Sequence, residues 1–194
     1  MNDWMNEWRE PNTNYWRVTK YNPIYRNEKG WYMRDEWMTP CEVGRYFNGV
    51  EFKWDEYLII ENAYVFAVVS AMKKLGTDFL KINGLEWKDY KKFDDLEVLG
   101  IEKFFKSLKE GMDISVNDIP KLMKLILRNI VWARLESEML TVNFEYDYYM
   151  YFVFKGDLSE IEKSIIANGL FIDKDFVSPH IWADDEVFEN EDEL

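Results

Sequence analysis

Histidine and cysteine are nearly missing from this chain: among 194 residues there is one of each, His180 and Cys41. A single cysteine closes no intrachain disulfide and builds no cysteine-rich metal site. A single histidine excludes a His-rich metal centre and makes any Ser-His-Asp or Cys-His arrangement depend on His180 alone. That residue sits in Ser178-Pro179-His180 beside an acidic stretch, the setting of a surface or turn residue. Glycine is scarce too, and none of the nine belongs to a phosphate-binding loop, a Walker motif or a dinucleotide fingerprint. The most apolar run, 63–72, is far shorter than the roughly 20 residues that span a bilayer as a helix. The opening Met1-Asn2-Asp3-Trp4 has neither the basic nor the apolar region of a signal peptide. No period of 20 to 50 residues marks a repeat architecture. These absences imply no cofactor and no resident metal, and they favour a soluble, cytoplasmic setting.

Acid and aromatic side chains are what the chain has in excess. It carries 37 acidic against 24 basic residues, a formal charge of −13, and 18% of its residues are Phe, Trp or Tyr. Such a charge argues against direct binding of nucleic acid, where phosphates call for a basic surface. A hydrophobic fraction of 47% argues against a wholly disordered chain. The acid is unevenly spread. Residues 183–194 hold Asp184, Asp185, Glu186, Glu189, Glu191, Asp192 and Glu193 with no base, so this tail reads as a solvated end or as an arm that docks on a basic partner through Val187 and Phe188.

Periodicity and turn chemistry predict a single α+β domain over 15–182, preceded by an N-terminal arm (1–14) and followed by the tail; lobes at 15–136 and 137–182 are an alternative division. Residues 15–21 alternate as a strand, which Asn22-Pro23 breaks. Residues 31–37 read as a second strand. Thr39-Pro40-Cys41-Glu42 is a capping box that starts a short helix ending near Asn48-Gly49. A long helix is expected over 55–75, closed by Gly76. A short strand follows over 79–82, then a turn at Asn83-Gly84 and two short helical pieces around Gly100. A second long helix is expected over 118–136, where Ile119, Leu122, Met123, Ile126, Ile130 and Ala133 form one stripe. Two strands, 140–146 and 148–154, meet about a turn at Asp147. A helix between Asp157 and Gly169 and short extended pieces at 170–172 and 176–177 complete an antiparallel sheet packed against two long helices.

Several residues invite a functional reading beside a structural one. Tyr146, Tyr148, Tyr149 and Tyr151 are the densest aromatic cluster, suited equally to a small core and to the anchors of a protein interface. Glu61-Asn62 interrupts an apolar helix, so it makes a structural hydrogen bond or floors a small polar pocket. Lys121, Lys124 and Arg128 share a helix face, either solvated or able to receive an acidic partner. Cys41 lies in the first turn of a predicted helix, as a structural thiol or a nucleophile. Pairs such as Asp35 with Glu36, Asp94 with Asp95 and Glu136 with Glu138 could serve a carboxylate-dependent hydrolase, although 37 acids make chance adjacency common.

The run Trp16-Arg17-Val18-Thr19-Lys20-Tyr21-Asn22-Pro23, with Asp147-Tyr148-Tyr149-Met150-Tyr151 and Gly169-Leu170-Phe171, resembles small acidic proteins of bacteria and their mobile elements. That resemblance assigns no activity and no functional residue. From the residues themselves the leading expectation is a non-enzymatic binding protein that neutralises a macromolecular partner, a protein whose basic surface would suit the acid of this chain. It would be of the immunity-protein, antitoxin or phage-inhibitor kind. A ligand-sequestering protein with an aromatic pocket at Glu61 and Asn62 is the alternative, and the hydrolase a third.

Overall fold

The computed structural model of the chain describes residues 11–88 and 100–174. The arm up to residue 10, the acid pair at 94–95, the piece at 176–177, His180 and the acidic tail with Val187 and Phe188 lie outside the described residues.

Nine strands and four α-helices are described. The strands are β1 (Thr13–Thr19), β2 (Tyr46–Phe47), β3 (Val50–Glu51), β4 (Phe79–Trp87), β5 (Asp113–Ser115), β6 (Val131–Glu136), β7 (Leu140–Phe144), β8 (Tyr149–Lys155) and β9 (Phe171–Lys174). The helices are α1 (Trp54–Lys74), α2 (Glu102–Ser107), α3 (Ile119–Leu127) and α4 (Ser159–Ala167). Seven strands form one antiparallel sheet in the order β5-β4-β6-β7-β8-β1-β9, so strands from both halves of the chain share it. The α+β class and the antiparallel sheet are therefore as the sequence implies.

Register decides which side chains meet, because paired residues project to the same face. Ile82, Leu135, Val142, Phe152 and Trp16 pair in succession across five strands, and all are buried. With Leu80, Val131, Ala133, Met150 and Val18 they form the sheet's share of the core. Helix α1 supplies the other share from Tyr57, Ala63, Tyr64, Ala67, Val68, Ala71 and Met72, and it packs on α3, α4 and β7. The opposite face carries a polar row through the pairings Asp173, Arg17, Tyr151 and Asn143. Arg17 Nε donates to Asp173 at 3.0 Å, and Arg26 Nη1 donates to both Asp173 oxygens at 2.8–2.9 Å.

Helix α1 matches the sequence reading. Glu56 accepts at its N-terminus from the Lys53 N–H, Lys73 and Lys74 occupy the last turn, and Gly76 follows at φ 66°. The second long helix does not form. Helix α3 ends at Leu127 after nine residues, because Asn129 takes a left-handed φ of 56° and the chain then turns into β6. Val131, Ala133 and Leu135 alternate with the half-exposed Trp132, Arg134 and Glu136, a period of two that the α-helical stripe through Ile130 and Ala133 concealed.

Four smaller expectations are corrected. Residues 31–37 make no strand; their one bridge joins Tyr32 to Arg26. The Thr39 capping box is present, but it starts a single 3-10 turn, Pro40–Glu42, and Asn48-Gly49 is the tip of the β2–β3 hairpin. Asn83-Gly84 does not end β4. It marks a bulge between Asn83 and Glu86, where Gly84 at φ 66° leaves Trp132 Cζ3 only 3.2 Å from a would-be Cβ. Around Gly100 the described helix is α2 alone.

Candidate functional site

Exposed large apolar side chains concentrate in one stretch of this fold. Ile24 is 73% exposed, Trp31 66%, Met33 64%, Tyr46 68% and Val50 64%, with Met38 and Trp54 less so. All lie between β1 and the first turn of α1, in a segment whose only regular structure is 3-10 turns and the β2–β3 hairpin. The segment is held to the body by aromatic side chains from its interior. Trp37 stacks on Phe52 at 4.5 Å and meets Tyr57 and Tyr148 edge-on, while Tyr32 packs against Tyr21. Asn48 Nδ2 donates to the Asp35 carbonyl at 2.9 Å, which ties the hairpin tip to the preceding loop. Its charges balance: Arg26, Lys29, Arg34, Arg45 and Lys53 against Glu28, Asp35, Glu36, Glu42 and Glu51.

Beneath this segment lies the turn that joins β7 to β8. Asp147 (φ 64°) and Tyr148 (φ 61°) are consecutive non-glycine residues in the left-handed region, a conformation that costs of the order of 1–3 kcal/mol for each bulky residue. Tyr148 is held there by its surroundings. Its hydroxyl donates to the Leu127 carbonyl at 2.7 Å, its own carbonyl accepts from Tyr64 Oη at 2.5 Å, and its ring faces Trp37 and Tyr64. Burial pushes the Tyr148 phenol well above its ordinary range. Of the other cluster members, Tyr151 is buried and Tyr149 half-buried against Tyr21 with the Arg17 guanidinium over its ring; Tyr146 begins the turn. The described rings of the cluster thus pack within the protein, and the most exposed aromatics, Tyr46 and Trp31, come from residues 24–54.

Lys20, one residue past β1, is 7% exposed. Its backbone N–H donates to Tyr64 Oη at 2.9 Å. Its ammonium nitrogen lies 4.0 Å from the Tyr21 ring centroid, 4.1 Å from that of Trp37 and 3.5 Å from Glu36 Oε2. Glu36 also accepts from the Tyr32 hydroxyl. Desolvation dominates this setting and brings the Lys20 pKa down to about 8, against the opposing pull of Glu36, Glu42 and Asp147. Strand alternation placed Lys20 beside Trp16 and Val18, yet nothing in one sequence shows that a lysine stays inside.

Glu61 and Asn62 do not share a pocket, because neighbouring helical positions point apart: Glu61 is fully buried and Asn62 exposed. Glu61 binds Arg128 through Nε at 2.6 Å and Nη2 at 3.0 Å and accepts from the Tyr57 hydroxyl at 3.1 Å. Arg128, 4% exposed, thereby leaves the basic stripe expected with Lys121 and Lys124. Cys41 is exposed in its 3-10 turn. Glu136 is engaged by Asn83 and Arg134. Among the described residues no group of three or more His, Cys, Asp or Glu could hold a metal ion, and no helix is long and apolar enough to cross a membrane. In comparisons with known proteins the chain matches no family model, no curated protein and no solved structure.

Proposed function

We propose that this chain is a non-enzymatic binding protein that neutralises a protein partner, in the manner of an immunity protein, antitoxin or phage inhibitor, and that residues 24–54 make the contact. The observation that carries this reading is the exposure of Trp31, Met33, Tyr46 and Val50 on a segment anchored from below by Trp37 and Phe52. Exposed apolar side chains gathered in one region mark interaction sites, and aromatic anchors supply much of the energy of such contacts. Of the tyrosine cluster, Tyr148 supports this surface through its contact with Trp37.

Charge has a separate role. The described residues hold 21 basic and 22 acidic side chains, so nearly all of the −13 belongs to residues 1–10, 89–99 and 175–194. A neutral contact surface with strongly acidic flanking sequences suits a partner with an apolar epitope and a basic surround, approached quickly by long-range attraction and retained by apolar contact.

The test is affinity purification from the native host with the parent chain and with a Trp31→Ser, Met33→Ser double variant. A stoichiometric protein captured by the parent should bind the variant at least ~10-fold more weakly, the loss typical of an interface anchor. The variant's thermal midpoint should be unchanged. No stoichiometric partner, or equal capture by the variant, refutes the proposal. Raising the salt should slow association with little effect on dissociation.

A further inference from the structure

The sheet has two faces, and the helices cover only one of them. The buried apolar residues of all four helices join Trp16, Val18, Met150, Phe152 and their neighbours in a single core cluster. Tyr15 and Tyr151 project to the other face, and among the described residues they are the only buried apolar side chains outside that cluster. Tyr15 is 1% exposed and Tyr151 4%, as sheltered as the core itself. Beside Tyr151 on β7 lies Asn143, 3% exposed, whose Oδ1 is shielded and accepts no hydrogen bond among the described residues. An antiparallel sheet with an open second face leaves its side chains in water there, so this face has a cover. The cover brings apolar area and a hydrogen-bond donor.

We propose that the cover is the chain's own first ten residues, with Trp4, Met5 and Trp8 laid over Tyr15, Tyr151 and Asn143. The path of the chain supports this occupant. Pro11 and Asn12 form a turn, with Asn12 at φ 61°, and β1 begins at the next residue, so the arm enters beside Tyr15. The three strand spacings from β1 across β8 and β7 to β6 amount to about 14 Å. Ten residues cover about 15 Å as a helix and about 33 Å extended, so the arm reaches across in either form. Its chemistry fits as well. Two tryptophans and a methionine supply apolar area, and an indole N–H is a donor for the open Asn143 oxygen. Charge favours the arm over residues 175–194, the other flanking sequence. The last twelve of those carry seven acids and no base. The charges over this face already answer one another, Arg17 and Arg26 at Asp173 and Arg134 at Glu136, so they call for no such excess of acid.

Hydroxyl-radical footprinting of the full chain, read by mass spectrometry, tests the proposal. Tyr15 and Tyr151 should oxidise far more slowly than Tyr46, which is 68% exposed, and Trp4 and Trp8 more slowly than Trp31, which is 66% exposed. A Trp4→Ser, Trp8→Ser double variant removes most of the arm's apolar area and should raise oxidation of Tyr15 and Tyr151 at least ~10-fold. The fully buried Tyr57 and Tyr64 of α1 should stay unlabelled, which separates undocking from unfolding. Should the double variant label them too, the rates of Trp4 and Trp8 in the parent decide. A Phe176→Ser, Trp182→Ser variant should leave Tyr15 and Tyr151 as protected as before. The proposal is overturned if Tyr15 and Tyr151 match Tyr46 in the parent, or if Trp4 and Trp8 match Trp31. Protection that survives the arm variant, or that is lost in the tail variant, overturns it equally. So does protection that fades on dilution, which would identify a second copy of the chain as the cover. None of these outcomes bears on partner binding by residues 24–54.

Discussion

Replacing Glu61, Arg128 or both by methionine gives the sharpest test of how the helical layer is held. The two residues lie 67 positions apart, and their ion pair joins the second turn of α1 to the end of α3. Both are buried, the hydrogen bonds of the fork are 2.6 and 3.0 Å, and the Tyr57 hydroxyl also donates to the carboxylate. Removing one partner strands the other charge away from water, which destabilises by about 3–5 kcal/mol. In a chain of this length that lowers the thermal midpoint by ~6–20 °C. Removing both leaves no stranded charge, and the methionines fill much of the volume, so the double variant should lie within ~1–2 kcal/mol of the parent. Urea unfolding of the four proteins, followed by tryptophan fluorescence, closes a double-mutant cycle with a coupling energy of about 3 kcal/mol or more. Additive losses, to within about 0.5 kcal/mol, would show that the two charges do not depend on each other and would refute the reasoning.

Two further outcomes follow from groups already described. Lys20 has a folded pKa near 8 against about 10.4 when unfolded, so between those values the unfolded chain binds more protons and stability rises with pH. In urea unfolding at pH 7.5 and 9.5 the stability of the parent relative to Lys20→Met should rise by roughly 2 kcal/mol with pH; an unchanged difference between the two proteins would contradict the burial of that amine. Gly156→Ala should destabilise by about 1–3 kcal/mol in the same assay, since φ is +105° and the new Cβ would come within 3.2 Å of Leu75 Cδ2; an unchanged midpoint would show that the turn after β8 relaxes freely.

Local chemistry made part of this fold readable. Gly76 after a run of helix formers, Asn22-Pro23 after an alternating strand and Asp147 between two β-rich runs each specify an ending within a few residues. Where a stop depended on one asparagine, at Asn129, two competing periods overlapped and the longer apolar stripe misled. Residues 31–37 have strand-like composition but bridge only at Tyr32, and a strand needs a partner as much as a propensity. The site was less legible than the fold. The arginine that meets Glu61 comes from a distant turn, and the burial of Lys20 depends on Trp37 folding over it, an event of tertiary packing. The exposed Trp31 and Met33 differ in no sequence property from the half-buried Tyr32 and Trp37 between and beside them.

The placement of β1 between β8 and β9 sets a timetable for the protein's synthesis. Thr13 pairs with Lys155, so the first strand has no neighbour in the main sheet until some 140 further residues have been made. At about 5–20 residues per second that interval is roughly 7–30 s on the ribosome. Throughout it Tyr15, Trp16 and Val18, and the aromatic segment they introduce, have no sheet to join. A nascent chain cut short before β8 would carry an unpaired apolar strand, a ready substrate for chaperones and proteases, so premature termination should yield degradation rather than a partly folded product.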